Sequence, residues 1–105
     1  RGIQEDIRLY ILDSLSSDLS LDYLEKTFAL SRRSIQRKFK QAYGIGLGNF
    51  IRTERLKLAN QALQHDGATI AQAAHLACYS STTNFSTAFR KHFGISPSTI
   101  QNSAL

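Results

Sequence analysis

The chain has 105 residues, 42% of them hydrophobic, a net charge of +5, no methionine and one cysteine. At this length it holds one domain, or two very small ones that share an element, and the single cysteine excludes an intrachain disulfide and favours a reducing compartment. No apolar run approaches the roughly 20 residues of a membrane span, and no signal peptide is present, so a membrane partner is not expected.

Apolar residues at helical spacing predict four helices in the first two thirds of the chain. These helices cover about 3–15, 21–28, 32–43 and 48–64. Ser20 and Ser31 precede the second and third helices as N-caps, and Gly44 ends the third in the left-handed conformation. Three residues of the third helix are expected to face inward: Ile35, Phe39 and Ala42.

Three further helices are expected after the long one, over about 70–77, over about 82–93 and from Pro97 onward. Thr69 and Gln72 have the spacing of a capping box at the start of the first of them. Gly94 ends the second. Cys78 lies in the turn between these two helices, where a buried or half-buried structural thiol is favoured over a nucleophile.

The sequence repeats itself at an offset of 50 residues. Phe39–Ile45 reappears as Phe89–Ile95, with the apolar spacing kept and the polar residues changed. This is expected of one structural unit that is used twice with different surfaces. We therefore predict an all-α fold of about seven helices, in which two helix-turn-helix subdomains are joined by a long linker helix. The expected boundaries are 1–46 and 67–105 for the subdomains and 47–66 for the linker helix.

The third helix has the side chains that a DNA-reading helix needs. Arg33, Gln36 and Arg37 share one exposed face, because they lie three or four residues apart. Arginine can make a bidentate contact to guanine and glutamine to adenine. Lys38 and Lys40 lie further along the helix and suit phosphates. Duplex DNA is therefore the leading partner, and a charged solvent-exposed face is the alternative.

The sixth predicted helix offers a different surface. Its outward residues are Thr82, Thr83, Asn84, Ser86 and Thr87, with Arg90 and Lys91 beyond them. These side chains can hydrogen-bond bases or phosphates and contact thymine methyls, but they supply less charge. We expect this unit to help fix the register of the protein on the DNA and to add a modest preference for base sequence. A capped, polar helix start is the alternative for each residue.

Positive charge is concentrated in the middle of the chain. Residues 1–30 carry three basic and six acidic side chains, residues 31–60 eight and one, and residues 61–105 two and one. The net charges of the three segments are therefore −3, +7 and +1. Such a distribution is typical of a surface that binds a polyanion.

An enzyme is not expected. The three histidines, His65, His75 and His92, have no metal-ligand spacing with Cys78 or a carboxylate. The serines and threonines fall at helix starts, where capping accounts for them. No glycine-rich phosphate loop is present, and the sequence calls for no cofactor.

The motifs resemble those of the DNA-binding domain of the AraC/XylS family of bacterial transcription regulators. The first unit carries Leu30-Ser31, Ile35-Gln36-Arg37-Lys38-Phe39-Lys40 and Gly44, and the linker helix carries Arg55-Leu56, Ala59 and Leu63. The second unit carries Ile70-Ala71, Tyr79, Phe85, Phe89-Arg90, Phe93-Gly94 and Ser96-Pro97. The resemblance covers nearly the whole chain, from about residue 10 to residue 101.

The resemblance implies a cytoplasmic, nucleoid-associated DNA-binding activator or repressor whose two recognition helices enter successive major grooves. The residues that match the family's reading stretches are Arg32, Arg33, Gln36 and Arg37 in the first unit, and Thr82, Thr83, Ser86 and Thr87 in the second. The family usually attaches this domain behind an effector-binding or dimerising domain. Because the chain begins at Arg1 and has no methionine, we expect a fragment of such a regulator.

Two alternatives keep the same fold. In one, only the first unit binds DNA and the second is a protein-contact surface, for example for RNA polymerase. In the other, the chain is an interaction module whose basic face binds an acidic protein. Salt dependence separates the last possibility from DNA binding.

Overall fold

The computed structural model describes residues 1–103, and these residues form seven α-helices and no strand. The helices are α1 (Ile3–Asp13), α2 (Leu21–Phe28), α3 (Arg32–Tyr43), α4 (Leu47–His65), α5 (Ile70–Leu76), α6 (Thr82–Phe93) and α7 (Pro97–Ser103). The predicted all-α fold class is therefore confirmed, with its seven helices.

The predicted bounds of α2, α3 and α6 agree with the structure, and those of α1, α4 and α5 differ slightly. Helix α1 ends at Asp13, two residues earlier than expected, and Leu15 packs against the core from outside the helix. Helix α4 is one residue longer at each end, and α5 one residue shorter at its C-terminal end. The well-predicted ends of α3 and α6 are those fixed by a serine cap and a glycine stop.

The chain divides into two compact units, Arg1–Ile51 and a second one from Arg52 onward. In the first unit, α1 and α2 pack on α3. The core of this unit is formed by Ile7, Ile11, Leu19, Leu24, Ile35, Phe39, Leu47 and Ile51. The boundary falls inside α4, so the beginning of this long helix closes the first core.

The second unit is built from the rest of α4 together with α5, α6 and α7. Its core is formed by Leu56, Ala59, Leu63, Ala73, Ala74, Ala77, Phe85 and Phe89. The aromatic rings of α6 pack against one another at tilted angles, with centroids 5.6 Å apart for Phe85 and Phe89 and 4.5 Å apart for Phe89 and Phe93. Aromatic pairs of this kind stabilise a core beyond the area they bury.

Side-chain caps set the starts of five helices, including α7, where Ser96 Oγ accepts the Thr99 amide at 3.3 Å. Ser31 Oγ accepts the Ser34 amide of α3 at 3.2 Å, and Ser81 Oγ accepts the Asn84 amide of α6 at 3.2 Å. Ser20 caps α2 in the same way, and the capping box at Thr69 forms as predicted. Each cap satisfies an amide that the first helical turn leaves unpaired, which stabilises the helix by about 1 kcal/mol.

The turns before α3 and α6 share an unusual backbone conformation. Ala29 and Cys78 have φ values of 53° and 63°, in the left-handed region that favours glycine. The Cys78 side chain is exposed, so the expected burial of this thiol is wrong. A residue in the left-handed conformation reverses the chain abruptly. At this turn the Cys78 side chain lies in solvent.

Replacing Cys78 by glycine is expected to raise the stability of the second unit. The left-handed conformation costs an L-residue about 1–2 kcal/mol, and the extra freedom of an unfolded glycine offsets only part of that. We expect a net gain of about 0.5–1 kcal/mol for Cys78→Gly in urea denaturation. Cys78→Ala is the matched control, because it removes the thiol and keeps the strained Cβ. Equal or lower stability of Cys78→Gly than of Cys78→Ala would contradict the assigned strain.

Candidate nucleic-acid interface

Helix α3 presents a basic, solvent-exposed face. Arg33, Gln36, Arg37 and Lys40 are all exposed, on the side of the helix away from the buried Ile35. The side chains are spaced three or four residues apart and therefore form one surface. The cap at the start of the helix and Gly44 at its end, with φ 72°, fix its length. This face can offer guanidinium and amide donors to base edges and an ammonium to a phosphate.

The inward side of α3 is largely as predicted. Ile35 and Phe39 are buried, but Ala42 is exposed, so its predicted inward position is wrong. Tyr43 takes that place in the packing, with its ring centroid 4.8 Å from that of Phe39. In the last turn of α3 it is therefore Tyr43, and not Ala42, that packs against the core. Lys38 is half-buried, which separates it from the exposed cations.

Arg32 is exposed but already engaged by two carboxylates of α2. Its Nη2 donates to Glu25 Oε1 at 3.1 Å and to Asp22 Oδ1, and its backbone amide donates to Glu25 Oε2 at 2.7 Å. The hydrogen bonds from Arg32 hold the pKa of Glu25 below its usual value. The bonds from Glu25 and Asp22 raise the pKa of Arg32 in return.

Helix α6 presents the corresponding face of the second unit. Thr82, Thr83, Asn84, Thr87 and Arg90 are exposed, and Ser86 is half-buried. Thr87 Oγ1 donates to the Thr83 carbonyl oxygen at 3.0 Å, so its hydroxyl hydrogen is used within the helix. What Thr87 offers outward is therefore its methyl group and an acceptor, and the surface of α6 is mostly uncharged.

An open hollow of about 560 Å³ lies beside α6 within the second unit. Asn84, Thr87 and Lys91 line it from α6, and Arg52 lines it from α4. Arg52 could not be identified as a site residue from the sequence, since nothing in its spacing relates it to a helix 30 residues later. The hollow thus has two cationic side chains, Arg52 and Lys91, in its lining.

The net charge is distributed more evenly between the two structural units than among the three sequence segments. The first unit carries eight basic and six acidic side chains, and the second carries five and two, so their net charges are +2 and +3. The positive segment 31–60 is split between the units, because Arg52, Arg55 and Lys57 belong to the second. The second unit is thus no less basic than the first, although α6 itself carries fewer arginine and lysine side chains than α3.

Among residues 1–103, no group of three or more histidine, cysteine, aspartate or glutamate side chains could hold a metal ion. None of the helices in this part of the chain is long and apolar enough to cross a membrane.

The amino-acid sequence is related to a known family and to curated proteins. Residues 24–103 match the profile of the family described as "Helix-turn-helix domain". The HTH-type transcriptional activator RhaS of Escherichia coli O139:H28 (strain E24377A) is 29% identical over 92 residues, which cover 88% of this chain and 33% of RhaS. RhaS of E. coli strain SE11 gives the same values. The chain thus spans about a third of the length of these relatives.

Solved structures share the fold over nearly the whole chain. A transcriptional regulator with an AraC-type DNA-binding domain from Chromobacterium violaceum has a TM-score of 0.85 and 28% identity, covering 96% of this chain and 90% of that one. The C-terminal domain of the Geobacillus stearothermophilus response regulator AraT has a TM-score of 0.90 and 28% identity, covering 98% and 86%. The DNA-binding domain of AdpA, solved with a target DNA, has a TM-score of 0.88 at 19% identity, covering 98% and 93%, which shows a common fold.

Proposed function

Because the chain belongs to the AraC/XylS family of helix-turn-helix DNA-binding transcription regulators, we propose that it binds promoter DNA through two recognition helices. In this proposal α3 and α6 enter successive major grooves of double-stranded DNA and read base edges there. The longer regulator would add an effector-binding or dimerising domain N-terminal to this chain.

The observation that carries the proposal is the exposed face of α3. Arg33, Gln36 and Arg37 lie on one side of a helix that is capped at its start and packed on its own core. A helix whose ends and packing are already fixed loses less conformational entropy when it binds DNA than a segment that must first be ordered. Lys40, at the other end of the face, is assigned to a phosphate.

Helix α6 is proposed to contact fewer bases than α3 and to make a larger share of its contacts with the phosphate backbone of the DNA. Thr83, Thr87 and Asn84 can contact thymine methyls and donate or accept hydrogen bonds, while Thr82 and Ser86 flank them. Arg90, at the C-terminal end of the same face, is assigned to a phosphate, together with Lys91 and Arg52 at the neighbouring hollow.

Thr87→Arg is expected to strengthen binding to DNA of any sequence. Thr87 corresponds to Arg37 at the offset of 50 residues, and the position is exposed. One added phosphate contact should steepen the dependence of log K on log salt by about 0.9. Fluorescence anisotropy with a random-sequence duplex between 50 and 200 mM salt measures this slope. Thr87→Gln is the control of similar length without charge. A slope unchanged from the parent would contradict the placement of α6 against DNA.

In vitro selection from random duplexes at about 150 mM salt tests the proposed function directly. Two conserved blocks about one helical turn apart, near 10 bp, are expected from two recognition helices. A single block would mean that one helix reads and the other does not. The affinity for duplex DNA should fall about a hundredfold between 50 and 200 mM salt. A much smaller fall would instead favour a protein as the partner of the basic face.

A second candidate role for α6 is contact with RNA polymerase, and the uncharged character of Thr82 and Thr83 favours it. Changing both residues to alanine would then leave the affinity for the selected DNA unchanged and lower transcription from a promoter that carries it. If α6 reads bases, the same double variant instead loses affinity and relaxes one block of the selected sequence.

A further inference from the structure

The contacts of Arg32 separate it from the other basic residues of α3. Its Nη2 is shared between Asp22 and Glu25, and its backbone amide is held by the second oxygen of Glu25. One positive charge thus faces two negative ones, so the local net charge is −1. Such a group attracts phosphate far less than an unpaired arginine does, because approach of a third anion is repelled by both carboxylates.

We propose that Arg32 is a positioning residue, which joins the start of α3 to α2 and makes no contact with a DNA phosphate. This inference rests on the proposed DNA-binding function and departs from the role that its place in the family's reading stretch implies. In this arrangement Glu25 bridges the two helices, because one of its oxygens binds the guanidinium and the other binds an amide at the N-terminal end of α3. The orientation of the reading helix is then set from α2.

The second unit supplies an internal comparison. Counted from the left-handed turn residues Ala29 and Cys78, the positions of Asp22 and Glu25 correspond to Ala71 and Ala74 of α5. The second turn is one residue longer than the first, and counted from the N-cap serines Ser31 and Ser81 that follow the turns, Thr82 stands at the position of Arg32. All three members of the contact are thus replaced together, by residues that cannot form it. The acidic pair is therefore a feature of the first unit and is not needed for the shared fold.

The carboxylates also lie where they affect binding. The Asp22 side chain is 80% exposed and that of Glu25 is 32% exposed, beside the N-terminal end of the reading helix. That end offers base contacts in a helix-turn-helix. Because both carboxylates engage the guanidinium there, Arg32 orients α3 without adding a phosphate contact to the interface.

Salt dependence distinguishes a positioning residue from a phosphate contact. We expect Lys40→Gln, the reference variant for a lost phosphate contact, to reduce the slope of log K against log salt by about 0.9 on a random-sequence duplex. Arg32→Gln should leave the slope at the parent value, while the ratio of affinities for the selected and random duplexes falls about two- to tenfold, as for one lost hydrogen bond. A reduction by about 0.9 in Arg32→Gln would overturn the proposal.

The double variant Asp22→Asn/Glu25→Gln tests the same point from the other side. It frees Arg32, so the slope should become steeper by about 0.9, and adding Arg32→Gln should return it to the parent value. A double variant whose slope matches the parent would count against the proposal. Circular dichroism confirms that each variant is folded, which is expected because the three side chains are at least partly exposed.

An NMR titration of Glu25 tests the contact without DNA. Arg32 lowers the pKa of Glu25 in the folded chain. The contact therefore stabilises the fold fully when the pH is above the ordinary carboxyl pKa of the unfolded chain, and this stabilisation is lost as the pH falls through the lowered pKa of the folded chain. The pKa of Glu25 should rise in Arg32→Gln. An unchanged pKa would refute the positioning role even in a chain that failed to bind DNA. Failure of the parent chain to bind any duplex, with the Glu25 shift present, would refute only the proposed function.

Discussion

Phe39→Ala is expected to unfold the first unit of the chain at 25 °C. The Phe39 ring is fully buried, with centroids 4.8 Å from Tyr43 and 5.1 Å from Phe50. Removing such a ring costs about 3–5 kcal/mol, through lost burial and the cavity that remains. At about 0.05–0.15 kcal/mol per residue, a unit of roughly 50 residues has only about 3–8 kcal/mol of stability. The substitution therefore removes most or all of it.

Amide hydrogen exchange measures this effect unit by unit. We expect protection to be lost in α1, α2 and α3 of Phe39→Ala, while α5 and α6 keep theirs, because each unit has its own core. Phe89→Ala is the matched variant at the offset of 50 residues and should give the opposite pattern. A single cooperative loss in both variants would show that the units do not fold separately.

Arg37→Ala is expected to cause the largest loss of DNA affinity among single changes on α3. A bidentate arginine contact to a guanine contributes about 1–3 kcal/mol of discrimination, so the affinity for the selected duplex should fall roughly 5- to 150-fold. Preference at one base pair of the site should relax at the same time. Competition binding against duplexes that vary at each position measures both effects.

Lys57→Ala is the control for Arg37→Ala, since it removes the same formal charge. Lys57 lies on α4 and is ion-paired with Glu54 at 3.0 Å. We expect this control to change affinity little and to leave sequence preference intact. Equal weakening by both substitutions, on every sequence, would assign Arg37 to general electrostatics and remove it from base reading.

Most of the fold could be predicted because its signals are local. Ser31 and Ser81 are followed by apolar residues at helical spacing and then by Gly44 and Gly94, so both helices could be bounded from sequence alone. Helix α1 has no comparable stop, and its end was therefore predicted two residues too late. Local chemistry thus fixes where the helices end, and errors occur where a cap or a stop is missing.

The features that could not be predicted are contacts and exposures that depend on how the helices pack together. The carboxylates that engage Arg32 are seven and ten residues away on another helix, and the sequence gives no sign that they meet it. Arg52 was missed at the hollow beside α6 for the same reason. Ala42 and Cys78 were predicted inward from their own spacing and character, whereas their exposure depends on how far the core extends.

The equivalence of α3 and α6 at a fixed offset has a consequence for how binding specificity can evolve. Each helix is anchored in the core of its own unit by equivalent buried residues, which are Ile35 and Phe39 in α3 and Phe85 and Phe89 in α6. The outward residues of both helices lie outside these cores. If both helices bind DNA as proposed, outward residues can change in one unit while the other keeps its contacts with the existing site. A new half-site could then be acquired by a few surface substitutions at a time, without an unfolded or non-binding intermediate.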